Sequence, residues 1–122
     1  MDKALVNGLS LAYRRRGKGL PLLLVHGFPL DGSTWEALGG QLDQDFEVIM
    51  PDLRGFGHSE TKGDVTSVEQ MAADLAGLLD SLGLNKTYLA GHSMGGYVAL
   101  AFARAFPGRV LGLGLIDSQA AP

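Results

Sequence analysis

The alternation of short apolar runs with segments of helical periodicity restricts the fold of this chain more than any other feature. Apolar runs of strand length recur at residues 21–25, 46–50, 87–90 and 110–116. Segments of helical spacing separate them, at about 33–42, 68–82 and 94–106. Such alternation is typical of a parallel sheet whose two faces are covered by helices. The sequence therefore predicts an α/β fold.

The first residues predict an antiparallel hairpin ahead of this alternating region. Asn7-Gly8 separates the apolar-rich segments 3–6 and 9–13, and this dipeptide favours a hairpin turn because both of its residues tolerate positive φ. The basic run 14–16 follows, which we interpret as a solvated strand end, with a phosphate or partner contact as the alternative. Together with the four apolar runs, the hairpin predicts a mostly parallel sheet of about six strands.

The segment after Thr66 gives the clearest helix prediction. Its apolar residues recur at helical spacing and form a single stripe. Ser67 and Gln70 stand at the spacing of a capping box, and Gly83 is a natural C-terminal stop. We therefore expect a well-defined helix that buries one face against the sheet.

Composition excludes several classes of protein. The 122 residues suit a single domain, residues 1–122, and 46% hydrophobic with 19% charged residues is ordinary for a globular protein. A net charge of −3 argues against a nucleic-acid partner. No apolar run approaches the roughly 20 residues of a membrane span, and no signal-peptide core follows Met1, so we expect a cytoplasmic protein without a membrane partner.

The same composition limits the chemistry. Without cysteine there is no disulfide and no thiolate nucleophile. The three histidines, His26, His58 and His92, have no recognisable metal-ligand spacing, so we expect no metal and no cofactor.

The motif Gly91-His92-Ser93-Met94-Gly95 lies between a predicted strand and a predicted helix. This G-x-S-x-G pattern places a serine at the strained apex of a sharp turn, where side chains at the flanking glycines would collide with backbone. The helix behind the serine directs its positive end at the site, and the amide of Met94 is a natural oxyanion donor. Adjacent side chains point apart on such a turn, so we interpret His92 as structural.

With two further motifs, the sequence resembles the N-terminal part of an α/β-hydrolase-fold protein. Residues 26–29, His-Gly-Phe-Pro, resemble the oxyanion loop after the family's third strand. Residues 52–59 resemble its D-x-R-G-x-G-x-S loop after the fourth strand, and residues 91–95 its nucleophile elbow after the fifth. The motifs are most similar to those of small esterases, enol-lactone hydrolases and carbon–carbon hydrolases. The fold implied is a truncated α/β-hydrolase core without the last strands and cap.

The resemblance also implies roles for individual residues. Ser93 would be the nucleophile, with the backbone amides of Phe28 and Met94 as the oxyanion hole. Substrate contacts are implied for Leu30, Trp35 and His58. Trp35 equally fits a core anchor of the first helix. Structural roles around the site are implied for His26, Gly27, Asp52, Arg54, Gly55, Gly57, Gly91, His92 and Gly95.

A catalytic base is not recognisable in the sequence. The family's histidine follows the last strand, whereas all three histidines here precede Ser93. Asp117 stands where some relatives, such as haloalkane dehalogenases, carry their acid, but a polar residue that simply ends a strand is the commoner case. We therefore expect an N-terminal part that is inactive, or nearly so, by itself.

Three functional hypotheses follow. The first is a serine hydrolase for a carboxylic ester or related small acyl substrate, active when a C-terminal fragment completes it. The second is a non-catalytic module that self-associates and at most binds a small carbonyl ligand. The third is an unusual complete enzyme that recruits His58, or a histidine of another subunit. The last strand, flattened by Gly112 and Gly114 and without charge, predicts an edge open to a second copy or to that fragment.

Overall fold

The computed structural model describes residues 1–61 and 66–117. The strands are β1 Asp2–Val6, β2 Leu9–Arg16, β3 Leu20–Val25, β4 Phe46–Pro51, β5 Thr87–His92 and β6 Val110–Ile116. The helices are α1 Glu36–Leu42, α2 Val68–Ser81 and α3 Met94–Ala105. The six strands form one sheet in the order β1-β2-β4-β3-β5-β6. The predicted α/β class and strand number are confirmed.

Strand directions follow from the connections. β1 and β2 form the predicted antiparallel hairpin, with Asn7 and Gly8 at φ 50° and 80°. β2 also pairs antiparallel with β4, whereas β3 is parallel to both β4 and β5, and β5 is parallel to β6. Helical crossovers make these parallel pairings possible, because parallel neighbours cannot be joined by a tight turn.

The basic run at the end of β2 is ion-paired rather than simply solvated, which corrects the sequence interpretation. Arg14 Nη1 lies 3.0 Å from Asp52 Oδ1, and the Arg14 side chain is only 18% exposed. Arg15 pairs with Glu47 at 3.0 Å and Arg16 with Asp43 at 2.8 Å. The acidic partners come from later parts of the chain, so local charge patterning did not reveal them.

The larger hydrophobic core lies between the sheet and the pair α2 and α3. The apolar stripe of α2 is buried as predicted, and Leu75, Leu78 and Leu79 are each 0% exposed. The capping box is present: Ser67 Oγ accepts from the Gln70 amide, and the Gln70 side chain accepts from the Ser67 amide. These bonds satisfy two amides at the helix start.

The opposite face of the sheet carries α1 and a smaller core. The helix predicted from Ser33 is divided into a 3₁₀ turn, Gly32–Trp35, and the short α1. Gly32 permits this because a Cβ there would lie 2.6 Å from the carbonyl oxygen of Met50. The turn therefore lies directly on β4.

This packing places the Trp35 side chain in the smaller core. Its side chain is 7% exposed and belongs to a buried cluster with Leu24, Val48 and Met50. Its indole Nε1 is the buried side-chain polar atom without a hydrogen-bond partner in the part of the chain that the structure describes. Of the two roles predicted for Trp35, this burial favours the core anchor, and the substrate contact stays a prediction.

β6 forms one edge of the sheet in the described structure, and β1 forms the other. Leu111, Leu113 and Ile116 on β6 are each about two-fifths exposed.

Across residues 1–61 and 66–117, no helix is long and apolar enough to cross a membrane.

The parallel strands bring four chemically interesting residues to one end of the sheet. His26 follows β3, Asp52 follows β4, Ser93 follows β5 and Asp117 follows β6. In open α/β sheets, ligands bind beyond these carboxyl ends. The candidate site is therefore expected at this end of the sheet.

Candidate active site

Ser93 occupies a strained backbone conformation between β5 and α3. Its φ and ψ are 56° and −118°, outside the regions that residues with a side chain normally adopt. Such a conformation costs about 1–3 kcal/mol and persists only where the surroundings impose it. Here the Ser93 amide donates to the Ile116 carbonyl at 3.1 Å, and its carbonyl accepts from the Gly96 amide at 2.9 Å.

The flanking glycines allow backbones to approach more closely than any side chain would permit. A Cβ on Gly91 would lie 2.2 Å from the Gly95 carbonyl oxygen. A Cβ on Gly95 would lie 2.2 Å from the Val25 carbonyl oxygen and 2.5 Å from that of His26. α3 consequently begins in direct contact with the end of β3 and with the first residue of the loop that follows it.

Helix α3 begins at Met94, immediately after Ser93. The first amides of a helix have no partner within it, and the helix end carries a partial positive charge. The Met94 amide and the helix dipole therefore favour negative charge beside Ser93.

The loop after β3 runs alongside the serine. A Cβ on Gly27 would lie 3.1 Å from the Cβ of Ser93 and 2.9 Å from the His92 carbonyl oxygen. The Leu30 amide donates to the Gly27 carbonyl at 2.9 Å, which closes a turn around Phe28 and Pro29. The side chains of Phe28 and Leu30 are 68% and 40% exposed, so both are accessible at this end of the sheet.

His26 is buried and uses both ring nitrogens. Nδ1 lies 2.9 Å from the Gly27 carbonyl oxygen, and Nε2 lies 2.9 Å from the Leu53 amide nitrogen. A backbone amide only donates, so Nε2 must accept and the proton resides on Nδ1. Burial lowers the pKa of His26, which favours this neutral form. His26 thus joins two loops and has no free nitrogen to serve as a base.

Asp52 is fully buried and joins three segments at the same edge. Its Oδ1 accepts from the Gly32 amide at 2.7 Å and pairs with Arg14, while Oδ2 accepts from the His58 amide at 2.9 Å. A Cβ on Gly57 would lie 2.3 Å from Oδ2, so this approach requires glycine. The carboxylate therefore fixes the loop after β4.

Arg54 anchors the same loop to α2 through a partner that sequence reasoning missed. Its guanidinium makes two hydrogen bonds to Asp74, of 2.6 and 2.7 Å, which raise the pKa of Arg54. Asp74 is 1% exposed and also accepts from Asn7 at 3.0 Å. The sequence signal that could have revealed this ion pair was a carboxylate among the apolar residues of α2, since a buried charge requires a partner.

Gly55, next to Arg54, has φ 81°.

The ring of His58 is exposed and the ring of His92 is half-buried. The His58 side chain is 59% exposed, and its Nδ1 lies 3.7 Å from Asp52 Oδ2. His92 Nε2 lies 3.8 Å from Asp117 Oδ2, and its ring meets Trp35 edge to face at 6.4 Å. Asp117 is 87% exposed with φ 49°. The His92–Asp117 proximity was not predicted, because His92 ends β5 whereas Asp117 follows β6, 25 residues later in the chain.

No group of three potential metal-ligating side chains occurs among residues 1–61 and 66–117.

A cleft of about 490 Å³ lies apart from Ser93, between α2 and α3. It is lined by Val68, Glu69, Tyr97, Leu100, Ala101, Arg104 and Ala105. Its lining contains none of the residues that the motifs indicate.

The sheet order, the serine turn and the loops after β3 and β4 define an α/β hydrolase core. The model of the alpha/beta hydrolase fold family matches residues 21–122, and the chain belongs to this family. Its predicted membership and fold are confirmed.

Individual relatives are similar over most of this chain. The soluble epoxide hydrolase of Corynebacterium sp. (strain C12) is 40% identical over 101 residues, which are 83% of this chain and 35% of that protein. The 2-hydroxy-6-oxo-2,4-heptadienoate hydrolase of Pseudomonas putida is 37% identical over 118 residues, 93% of this chain and 43% of that protein. A thermophilic esterase from Thermogutta terrifontis, solved with malate bound, superposes with a TM-score of 0.93 at 49% identity, covering 99% of this chain and 46% of that one. The chain thus spans less than half the length of these three relatives.

Proposed function

We propose that this chain carries the nucleophile and oxyanion half of a serine hydrolase for a carboxylic ester or related small acyl substrate. The observation that carries this proposal is the strained Ser93, held between the first turn of α3 and the Gly27 backbone. This position supports the proposal, because amides fixed beside the nucleophile would stabilise a developing oxyanion without rearrangement, which is usually the largest single contribution to transition-state stabilisation.

In the proposed reaction, Ser93 Oγ attacks the acyl carbon while its proton passes to a base. The negative charge that develops on the carbonyl oxygen is stabilised by the amides of Phe28 and Met94. The base then protonates the leaving alkoxide, and an acyl-enzyme ester remains on Ser93. Water, deprotonated by the same base, hydrolyses this ester and restores the serine.

The base is proposed to be a histidine outside these 122 residues. Both nitrogens of His26 are engaged in hydrogen bonds, so it has no capacity for this role. The matched region is only 35% to 46% of the three relatives above, so more than half of each lies outside it. The chain alone is then expected to be inactive or nearly so.

The identity of the nucleophile favours acyl transfer over epoxide opening. A serine that attacks an epoxide carbon would leave an ether, which has no carbonyl for water to attack. An aspartate in that position would give a hydrolysable ester, which is how the family's epoxide hydrolases and dehalogenases turn over. Ser93 therefore supports an ester substrate, even though one relative is an epoxide hydrolase.

A fluorophosphonate probe with intact-mass detection under denaturing conditions tests this proposal. One adduct is expected on the 122-residue chain when a polypeptide that supplies the base is present, and none in Ser93→Ala. Ser81→Ala, which removes an exposed hydroxyl at the end of α2, is the matched control and should label normally. Labelling that survives Ser93→Ala would refute the assignment of the nucleophile.

The non-catalytic alternative is supported by the edge position of β6 and the exposure of its leucines. In that case the chain would pair with a second copy through β6 and at most bind a small carbonyl ligand. Adding the C-terminal region of a relative discriminates the two: restored ester turnover supports the hydrolase, and its absence with persistent self-association supports the alternative.

A further inference from the structure

Three rings form a row from the interior to the surface beside Ser93. The His26 and Phe56 rings meet edge to face, with centroids 5.4 Å apart and planes at 72°. Phe56 and Phe28 meet in the same manner, at 5.8 Å and 87°. This perpendicular geometry is the favoured one for aromatic pairs. Phe56 therefore connects a fully buried histidine to an aromatic side chain that is 68% exposed.

Phe56 itself is held from two directions. Its amide donates to the Leu53 carbonyl at 2.9 Å, and the Leu53 amide donates to His26 Nε2 at 2.9 Å. Its half-buried side chain also packs against the larger core. The ring is thus fixed relative to the sheet, whereas Phe28 lies on an exposed turn.

We propose that Phe56 is a positioning residue that holds the Phe28 side chain, and through it the Phe28 amide, in register with Ser93. The proposal rests on the proposed function for the catalytic meaning of that amide. An oxyanion donor must lie at hydrogen-bond distance from the developing oxyanion, and a misplacement of about 1 Å can cost about 100-fold in rate. An exposed phenyl ring without a fixed neighbour would sample several rotamers and loosen the turn that carries it.

The turn itself provides a readout that does not require catalysis. The Leu30 amide donates to the Gly27 carbonyl across Phe28 and Pro29, so its hydrogen exchange reports opening of the turn. In Phe56→Leu, exchange at Leu30 should accelerate roughly 2- to 10-fold, as expected when one aromatic pair is lost. Phe56→Tyr preserves the ring and should exchange as the parent chain does.

Phe106→Leu is the matched control. Phe106, which directly follows α3, is also half-buried against the larger core and pairs with Phe102 in the last turn of that helix at 5.2 Å. It should lower thermal stability comparably and leave the exchange at Leu30 unchanged. Equal acceleration in Phe56→Leu and Phe106→Leu would overturn the proposal, because the effect would then be general loosening.

Should Phe56→Leu not fold, Phe28→Leu removes the same contact from its exposed side and decides the question alone. Accelerated exchange at Leu30 supports the proposal, and unchanged exchange overturns it. Where both single variants fold, the double variant should accelerate exchange no more than either one.

Phosphonylation of Ser93, measured with the base-supplying polypeptide present, gives the second readout. Phe56→Leu should slow labelling, because a displaced Phe28 amide would stabilise the developing oxyanion less well, and Phe56→Tyr should restore it. If the parent chain is never labelled, the proposed function fails, while exchange at Leu30 still decides the role of Phe56. Labelling unaffected by Phe56→Leu despite faster exchange would overturn the catalytic part of the proposal.

Discussion

His26 Nε2 accepts a hydrogen bond of 2.9 Å from the backbone amide of Leu53, which commits this histidine to a structural role. The bond connects the loop after β3, which runs beside Ser93, to the loop after β4. It exists only while the imidazole is neutral, because a protonated Nε2 would confront another donor. The junction of the two loops is therefore sensitive to pH.

Acidification is expected to weaken the fold through His26. Burial lowers its pKa from the ordinary 6.5, so the unfolded chain binds the proton more readily than the folded one. The stabilisation is fully present above about pH 6.5 and is lost as the pH falls towards the lowered value. Urea unfolding between pH 5 and 8 should show this loss of unfolding free energy. The His26→Gln variant should have a lower unfolding free energy at pH 8, and that free energy should depend less on pH. His58→Gln, which removes an exposed imidazole, is the control. If the unfolding free energy of His26→Gln depends on pH as steeply as that of the parent chain, the prediction is contradicted.

Gly95→Ala is expected to destabilise the chain strongly. A Cβ there would lie 2.2 Å from the Val25 carbonyl oxygen, so α3 must shift away from β3. Overpacking of this kind costs about 1–3 kcal/mol or more, which lowers the melting temperature by several degrees. Calorimetry should find this loss and little change in Gly108→Ala, where a Cβ meets nothing within 4 Å. Similar melting temperatures for both variants would show that the close approach is not needed.

Asp74→Ala should be far more harmful than removal of an exposed carboxylate. Arg54 is 9% exposed and would retain a buried charge without its partner, which costs about 3–5 kcal/mol. Asp80, whose side chain is 69% exposed, pairs with Arg109 at 2.8 Å. Asp80→Ala should cost at most about 1 kcal/mol, since exposed pairs contribute little. Guanidinium unfolding measures the loss of unfolding free energy in both variants. A comparable loss in Asp74→Ala and Asp80→Ala would argue against a buried Arg54–Asp74 ion pair that anchors the loop.

Self-association, where it occurs, is expected to use β6. Leu113 is 40% exposed on this edge strand, and a lysine there would be unfavourable in strand pairing. Leu113→Lys should shift the sedimentation profile towards the monomer. Leu5→Lys places the same charge on β1, the opposite edge, at a residue that is 80% exposed. A monomer produced by Leu5→Lys alone would assign the contact to β1 instead.

The comparison of α1 with α2 shows why some elements were predictable. The capping box and apolar stripe of α2 are local, so Ser67 and Gly83 specify its ends directly. The helix predicted from Ser33 was divided because Gly32 lies against the Met50 carbonyl, which is a contact between distant segments. The extent of α1 was therefore decided by packing on β4.

By itself, the sequence determined the hairpin at Asn7-Gly8, the succession of strands and helices along the chain, and the turn at Ser93. These features depend on the steric preferences of a few consecutive residues and on apolar periodicity. Only the tertiary structure decided that Asp74 pairs with Arg54, that Trp35 lies in the core, and that His92 approaches Asp117. Such relationships arise when separate segments are brought together by burial of the sheet faces, and residue spacing along one chain does not record which surfaces meet.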